Sequence, residues 1–448
     1  MVRLTNMNIK PNNQGLKMLK WMKDIWSFPR SLTGHGTHAT LEYLKQINKD
    51  LTIHQIKSGT KVFDWEIPDE WNIYDAYIEH ESGKRFAEFS KNNLHVLGYS
   101  IPCNMEVSLD ELLEHIYTQP NQPNVIPYVT SYYKERWGFC ISEDEKNSLP
   151  IGTYKVVIDA KKKPGFLEFA DIVIKGKSSK EIFFSTYICH PSMANNELSG
   201  PAVATALIQY ISSNFKQQEY TYRFVFSPET IGSITYLSKN IKHLKKNVIC
   251  GFNLSCVGDN RAYSHIESRM GNSLADAALK ASLIDLENVV FYPFLDRGSD
   301  ERQYCAPGVD LPFCGFARTK YGEYPEYHTS ADNFDVVSEE GLNGAFNVMK
   351  SIIDAFEMKL FPMATLKCEP QLGKYGLYPT VSQKGAHVDI IMRLNILSYA
   401  DGKHSLFDIS NKIKKNISLV VLEAQILKDK GLITLSENGS LSLIHISE

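Results

Sequence analysis

The segment Tyr187-Ile188-Cys189-His190-Pro191-Ser192-Met193-Ala194-Asn195-Asn196-Glu197-Leu198-Ser199-Gly200 follows a strand-like run, Glu181 to Thr186, and leads into a helix-like run, Pro201 to Ile211. A histidine at a strand end, before a polar loop that opens a helix, is placed to offer its imidazole to a metal ion. Three further segments have the same character. Ser227-Pro228-Glu229-Thr230-Ile231-Gly232-Ser233 follows the apolar strand Phe224-Val225-Phe226 directly, and two more polar stretches run from Asp296 to Arg302 and from Tyr324 to Asp332. Ligands bind at the carboxyl ends of strands in open α/β sheets, so His190, His328 and several carboxylates are candidates to converge there. Imidazole with carboxylate suits zinc, which activates water and polarises a carbonyl. A free carboxylate beside that water acts as general base, and Glu229 is placed for this.

Each of these residues has a second reading. Either histidine taken singly is satisfied by core hydrogen bonds, since neutral imidazole both donates and accepts. Glu229 alone is a first-turn acid complementing a helix N-terminus. Asp300, Glu301 and Arg302 form an internal ion-pair cluster as readily as a set of substrate contacts. The joint placement of all four segments favours the site. On that reading Asp300, Glu301, Arg302, Glu326 and Asn196 are the candidate substrate-binding residues.

The elements that must position them are of two textures. From Gly152 to about Met358 strand-like and helix-like runs alternate: Tyr154 to Ile158, Glu181 to Thr186, Pro201 to Ile211, Tyr222 to Ser227, Thr235 to Leu244, Asn247 to Leu254, Ser273 to Ser282, Val289 to Tyr292 and Glu340 to Phe356. Such alternation predicts an α/β body, a mostly parallel sheet covered by helices on both faces. Before it, Gly15 to Lys49 reads as an αα unit with a turn at Phe28 to Gly34. Short alternating runs such as Lys61 to Pro68 and Leu94 to Tyr99 predict an inserted β-rich module. After a Pro/Gly-containing link, Glu369 to Pro379, come three helices and a hairpin: His387 to Leu397, Ser405 to Ile413 with an N-cap serine, Ser418 to Lys430 ending at Gly431, then Leu432 to Leu435 and Leu441 to Ile444. That order describes a winged helix. The expected domains are therefore 1–54 with 146–365 for the α/β body, 55–145 for the module and 366–448 for the winged helix.

Bulk properties narrow the function classes. A chain of 448 residues exceeds one typical domain, and its formal net charge of -3 gives no general attraction to phosphate backbones or acidic lipid. The third winged-helix segment sets Glu423 and Asp429 against Lys428 and Lys430, a poor footprint for DNA. A structural or protein-contact role is the expectation there, and no nucleic-acid partner is expected. Eight cysteines without C-x-x-C spacing suggest reduced thiols rather than a zinc ribbon or disulfide scaffold. Met1 to Asn8 contains no signal-peptide core and no apolar run is long enough to span a bilayer, so the expectation is a cytoplasmic protein without membrane partners, with a homo-oligomer left open.

Motifs sharpen this picture. The Asn-Glu-Leu-Ser-Gly turn at 196–200, the Pro-Glu-Thr-Ile-Gly turn at 228–232 and the Tyr-His-Thr-Ser-Ala-Asp segment at 327–332, in that order, resemble the zinc aminopeptidases of the two-metal exopeptidase group. Nearly the whole chain is similar to the bacterial aminopeptidase-like proteins with a C-terminal winged helix that are associated with polysaccharide biosynthesis. Arg30-Ser31-Leu32-Thr33-Gly34, Asn92 to Tyr99, Tyr132 to Cys140, Cys189 to Gly200, Gly298 to Tyr304 and Pro325 to Ser330 carry that match. The resemblance implies a zinc-exopeptidase-like fold, His190 and His328 as metal ligands, Glu229 as general base, and an amide substrate: a peptide or an amino-acid-modified sugar or glycan precursor. It also exposes departures. Asn196 stands where the zinc aminopeptidases have a bridging aspartate, Thr230 where they have a second glutamate, and Ser255 where they have a ligand aspartate. Three lost carboxylates under-neutralise two zinc ions, so one zinc held by His190, His328 and Glu197 is the expectation. Those losses also fit a catalytically inactive scaffold, and a DNA-binding regulator ranks last. Tyr132, Tyr133, Lys134, Arg136 and Trp137 either roof the cleft and grip an anionic or sugar-bearing substrate or pack the module onto the body.

Overall fold

Four strands rich in aromatic and branched residues form the centre of the molecule. Thr221–Ser227, Glu181–Tyr187, Val248–Leu254 and Phe313–Ala317 lie side by side, all parallel. Their side chains alternate between two faces, as the period of a strand requires. Phe184, Phe224, Phe252 and Phe316 enter one core, whereas Phe183, Val225 and Phe313 enter the other. The computed structural model describes residues 14–378, 386–437 and 439 of the chain.

Four further strands, joined to the central four through antiparallel pairings, complete the sheet. Thr52–Lys57 and Phe166–Ile174 extend it beyond Thr221–Ser227, and Tyr263–Ile266 with Val289–Tyr292 extend it beyond Phe313–Ala317, giving eight strands in a mixed α/β architecture. The helices Gln14–Ile25, Ser199–Asn214, Leu274–Leu283 and Glu339–Glu357 cover one face, and Ile231–Asn247 covers the other. No described helix is long and apolar enough to cross a membrane.

The inserted module has its own four-stranded antiparallel sheet, in the order Arg85–Phe86, Glu70–His80, Thr153–Lys163, Cys103–Ser108, closed over a separate core. The run Tyr154 to Ile158, read from the sequence as the first strand of the α/β body, belongs to this sheet. Its alternation is that of a strand with one wet face, and pairing with Glu70–His80 buries Tyr154, Val156 and Ile158. The module's sheet therefore reaches Lys163, past the expected boundary at 145.

The winged helix begins with Phe361–Ala364, which pairs antiparallel with Ile433–Ser436. The sequence offered Leu441 to Ile444 as the partner strand, and those residues lie outside the described ones. Ser405 caps its helix through a box with Asp408, and Lys430 ends the third helix before Gly431, which has φ +70°. That third helix, Ile417–Asp429, packs against Glu339–Glu357 of the body. Asn411 and Asn416 dock the domain by donating to the Ala277, Ser282 and Ile284 carbonyls. The apolar core runs without interruption from the α/β body into the winged helix.

Candidate active site

Register brings the first two segments together. Tyr187 lies opposite Ser227 on adjacent parallel strands, so the chains leaving both carboxyl ends are neighbours, and the Ile188 N–H donates to the Ser227 carbonyl at 3.1 Å. His190 and Glu229 lie just beyond, with Glu229 Oε2 3.6 Å from His190 Nε2. His328 arrives on the loop after the last central strand, its backbone left-handed at φ +56°. The imidazole centroids of His190 and His328 are 5.2 Å apart. Tyr128 from the inserted module packs on both rings, at 5.1 and 5.2 Å, and its N–H donates to the His328 carbonyl at 2.9 Å.

Behind His190 the loop becomes one π-helical turn, Ala194–Leu198, before the helix Ser199–Asn214. Gly200 is required at the join, because a Cβ there would lie 2.2 Å from Thr186 Oγ1 and 2.5 Å from the Leu254 carbonyl. The Asp332 carboxylate accepts from the Asn195 and Asn196 N–H groups at 2.6 and 3.0 Å and from the Tyr324 hydroxyl at 3.0 Å. The turn delivers Glu197, fully buried, to His190: Nδ1–H donates to Glu197 Oε2 at 2.6 Å. This bond fixes the ring's orientation and leaves Nε2 facing Glu229. Burial works against a charged His190, yet the contacts with the Cys189 sulfur and the Glu197 carboxylate hold its pKa well above the histidine range. For His328, burial and then the neighbouring His190 push the pKa down to about 3, so the ring is neutral and its buried Nε2 has no partner. Arg30 lies beneath, donating to the His190 carbonyl at 3.0 Å and to the Ile25 carbonyl.

The Glu229 turn is strained. Thr230 sits at φ +64°, ψ −76°, a conformation rare for a β-branched residue. Asp300 holds it there, accepting from the Thr230 N–H at 2.8 Å and from Ser233 Oγ at 3.0 Å. Burial and then the Glu229 charge push the Asp300 carboxyl up to about 8. Burial raises the pKa of Glu229 itself, against the pull of His190 and Arg302.

A cleft of about 400 Å³ opens over these groups, lined by His190, His328, Glu229, Arg302, Tyr132 and Trp65 among others. The other candidates named from the sequence do not line it. Glu197 sits behind His190, and Asp300 under Thr230. Glu301 accepts from the Gly298 and Ser299 N–H groups and the Tyr321 hydroxyl, all at 3.0 Å or less. Glu326 is held by both terminal nitrogens of Arg261, at 2.9 and 2.8 Å. Asn196 donates to the Tyr187 hydroxyl at 2.9 Å, leaving its buried Oδ1 unpartnered. Three residues that support the site had been given no role: Arg30, Tyr128 and Asp332. Arg30 lies in a stretch already singled out, whereas Tyr128 meets the imidazoles only through the fold.

The donor set can be tested against a metal. His328 Nε2 is a buried polar atom without a partner, and a bound cation would satisfy an orphaned donor atom of this kind. Glu197 and Glu229 supply two negative charges, which match one dication. Asn196, Thr230 and Ser255 add none, so the residues fit one zinc and not two. Among the described residues, the groups of three such side chains whose donor atoms all lie within 4.8 Å of one another are Cys189, His190 and Glu197 here, and His265, Asp276 and Cys314 elsewhere in the sheet; His328 lies outside both.

Comparison with known proteins agrees with this architecture. The family model described as a domain of unknown function (DUF4910) matches residues 19–359, and a winged helix-turn-helix model matches residues 361–435. A Clostridium acetobutylicum protein described as a candidate polysaccharide biosynthesis protein with aminopeptidase-like domain is 38% identical over 401 residues, which are 89% of this chain and 91% of the relative. A crystal structure of a candidate peptidase from the same organism superposes with a TM-score of 0.86 at 37% identity, covering 94% of this chain and 97% of that one. The zinc aminopeptidase BSAP from Bacillus subtilis superposes with a TM-score of 0.54 at 14% identity over 76% of this chain and 93% of its own, a likeness of fold.

Proposed function

We propose that this chain, which belongs to the DUF4910 family and carries a winged helix-turn-helix domain, is a single-zinc hydrolase of the aminopeptidase type acting on an amide bond. One observation carries the reading: two imidazoles from distant loops meet 5.2 Å apart beside the Glu229 carboxylate at the floor of a cleft. His190 and His328 would hold the ion through their Nε2 atoms. Zinc bound there supplies Lewis-acid polarisation of the substrate carbonyl.

The remaining work falls to the chain. Glu197, hydrogen-bonded to Nδ1, orients His190 and raises its basicity, as outer carboxylates do behind metal-binding histidines. This differs from the direct ligand role expected of it from its place beside Asn196. Glu229 takes a proton from the attacking water and returns it to the leaving amine. Tyr128, packed on both imidazoles, excludes water from their flank. The substrate is a peptide or an amino-acid-modified sugar or glycan precursor, a choice supported by the name of the Clostridium relative. We place the enzyme in the cytoplasm, and the winged helix serves protein contact, because its third helix is spent on the body.

Metal analysis of His190→Ala and His328→Ala tests the ion: zinc content falls in both, and unchanged content in both removes the proposal. Turnover of aminoacyl amides by the zinc form, abolished in Glu229→Gln, tests the chemistry. A second reading, a non-catalytic binding protein, is favoured by the neutral Asn196, Thr230 and Ser255, and absence of turnover in a fully loaded protein selects it.

A further inference from the structure

An exopeptidase that grips a free amino terminus needs spare carboxylates for the ammonium, and this cleft has none. Glu229 is the carboxylate among its lining residues, and it is committed as general base. The other acids nearby do not line the cleft and bind groups behind it: Asp300 binds Thr230 and Ser233, Glu301 binds Gly298, Ser299 and Tyr321, Glu326 binds Arg261, Asp332 binds Asn195 and Asn196, and Glu197 binds His190, while the bare oxygens of Glu197 and Asp300 are buried.

The cation opposite them is under-used. Arg302 lines the cleft with its side chain 38% exposed, and its nearest carboxylate oxygen, on Glu229, is 3.9 Å away. Of the five N–H donors of a guanidinium, one is committed, from Nη2 to Thr230 Oγ1 at 2.6 Å, and the buried Nε has no partner. Other arginines of the chain contrast with it. Arg223 and Arg261 are each forked onto a carboxylate, Glu181 and Glu326, with N···O distances of 3.0 Å or less. A dication between the imidazoles adds positive charge to the same cleft.

We infer that Arg302 is the substrate-recognition cation of this site, and that the substrate is an amide bearing an anionic group, a carboxylate or a phosphate, rather than a free ammonium terminus. The inference deepens the proposed hydrolytic reading and rests on it for the words amide and substrate, but the anion preference is measurable without turnover.

Calorimetric titration of the full chain, metal-free and zinc-loaded, compares N-acetyl-L-phenylalanine, phenyl phosphate, the neutral N-acetyl-L-phenylalaninamide and the cationic L-phenylalaninamide. A charge-assisted fork predicts that one of the two anions binds roughly 10- to 100-fold tighter than the neutral and cationic probes in both forms. Which anion wins separates a carboxylate from a phosphate substrate. Arg302→Gln removes the preference while zinc content and far-UV circular dichroism stay as in the parent, and Arg302→Lys restores part of it. The inference is overturned by tighter binding of the ammonium probe, by no anion binding at millimolar concentration, or by an Arg302→Gln chain that keeps the preference. If that variant fails to fold, Arg302→Lys decides: a preference undiminished for both anions in a chain lacking the fork overturns it as well. Absence of turnover with the anion preference intact sinks the hydrolase reading alone, and turnover without the preference sinks this inference alone.

Discussion

Two buried clusters in this chain draw on the same residue types, and their hydrogen bonds set them apart. Cys189, His190 and Glu197 lie at the carboxyl ends of the central strands, beside a cleft. His265, Asp276 and Cys314 lie deeper, at the start of the helix Leu274–Leu283. In the second cluster both carboxylate oxygens are saturated. Asp276 Oδ1 accepts from His265 Nε2 and the Ser268 N–H, and Oδ2 accepts from Ser268 Oγ and from the Ser273 N–H and hydroxyl. Glu197 makes one such bond, and its other oxygen is buried and bare. Residue type makes a metal site conceivable; an unpartnered donor on a residue that lines an open cleft, as His328 Nε2 is, makes it chemically useful.

The sharpest way to break this contrast is Asp276→Ala. Removing a buried carboxylate that satisfies a histidine, two hydroxyls and a helix N-terminus is expected to cost about 3–5 kcal/mol in chemical unfolding, with zinc uptake unchanged. If instead stability holds and zinc is lost, the two clusters have been assigned the wrong way round. Next in size, Glu229→Gln lowers turnover by about 10²–10⁴-fold while the unfolding midpoint holds, since this residue serves chemistry more than the fold. Glu197→Gln follows, with zinc affinity down by about 10–100-fold in competition with a chelator, the cost of losing an orienting carboxylate.

The smallest effect is in pH. Burial opposes a charged Asp276, but the bonds from His265 and Ser268 hold its pKa well below the ordinary carboxylate value of 3.8. A depressed folded-state pKa contributes stability that is full above the unfolded value and is lost as pH falls toward the folded one. The unfolding free energy of the parent from urea titrations is therefore expected to decline below about pH 4 with a slope of up to roughly 1.4 kcal/mol per pH unit from this group, and the slope flattens in Asp276→Asn.

Much of the site was legible because strand ends announce themselves. The strand before Glu229 ends at Ser227, just ahead of Pro228, and the strand before His190 ends at Tyr187, with Pro191 following the histidine. The caps at Ser273 and Ser405 were equally readable as local chemistry. Partnership across space was harder to read. Tyr154 to Ile158 has the pattern of a strand, but pattern does not say which sheet a strand joins, and contacts with Glu70–His80 decide it. Glu301 and Arg302 are adjacent on one short helical turn, yet the first points into a knot with Tyr321 and the second lines the cleft. Only rotation about that turn separates them. Glu197 was nominated as a metal contact because it sits beside Asn196; the π-helical turn brings its Oε2 to Nδ1 of His190 and leaves Oε1 buried without a partner, an outcome that spacing alone does not give. Arg30 and Tyr128 reach the histidines only through the fold, by hydrogen bonds to their backbone carbonyls and, for Tyr128, by packing on both rings.

The central claim is that one ion joins His190 and His328. An anomalous-difference map from crystals of the zinc-loaded chain, collected at the zinc edge, tests it most directly. The account predicts a single peak bonded to both imidazoles beside Glu229, with no second ion near Asn196. Peaks confined to the His265, Asp276 and Cys314 cluster, or none at saturating zinc, would contradict it.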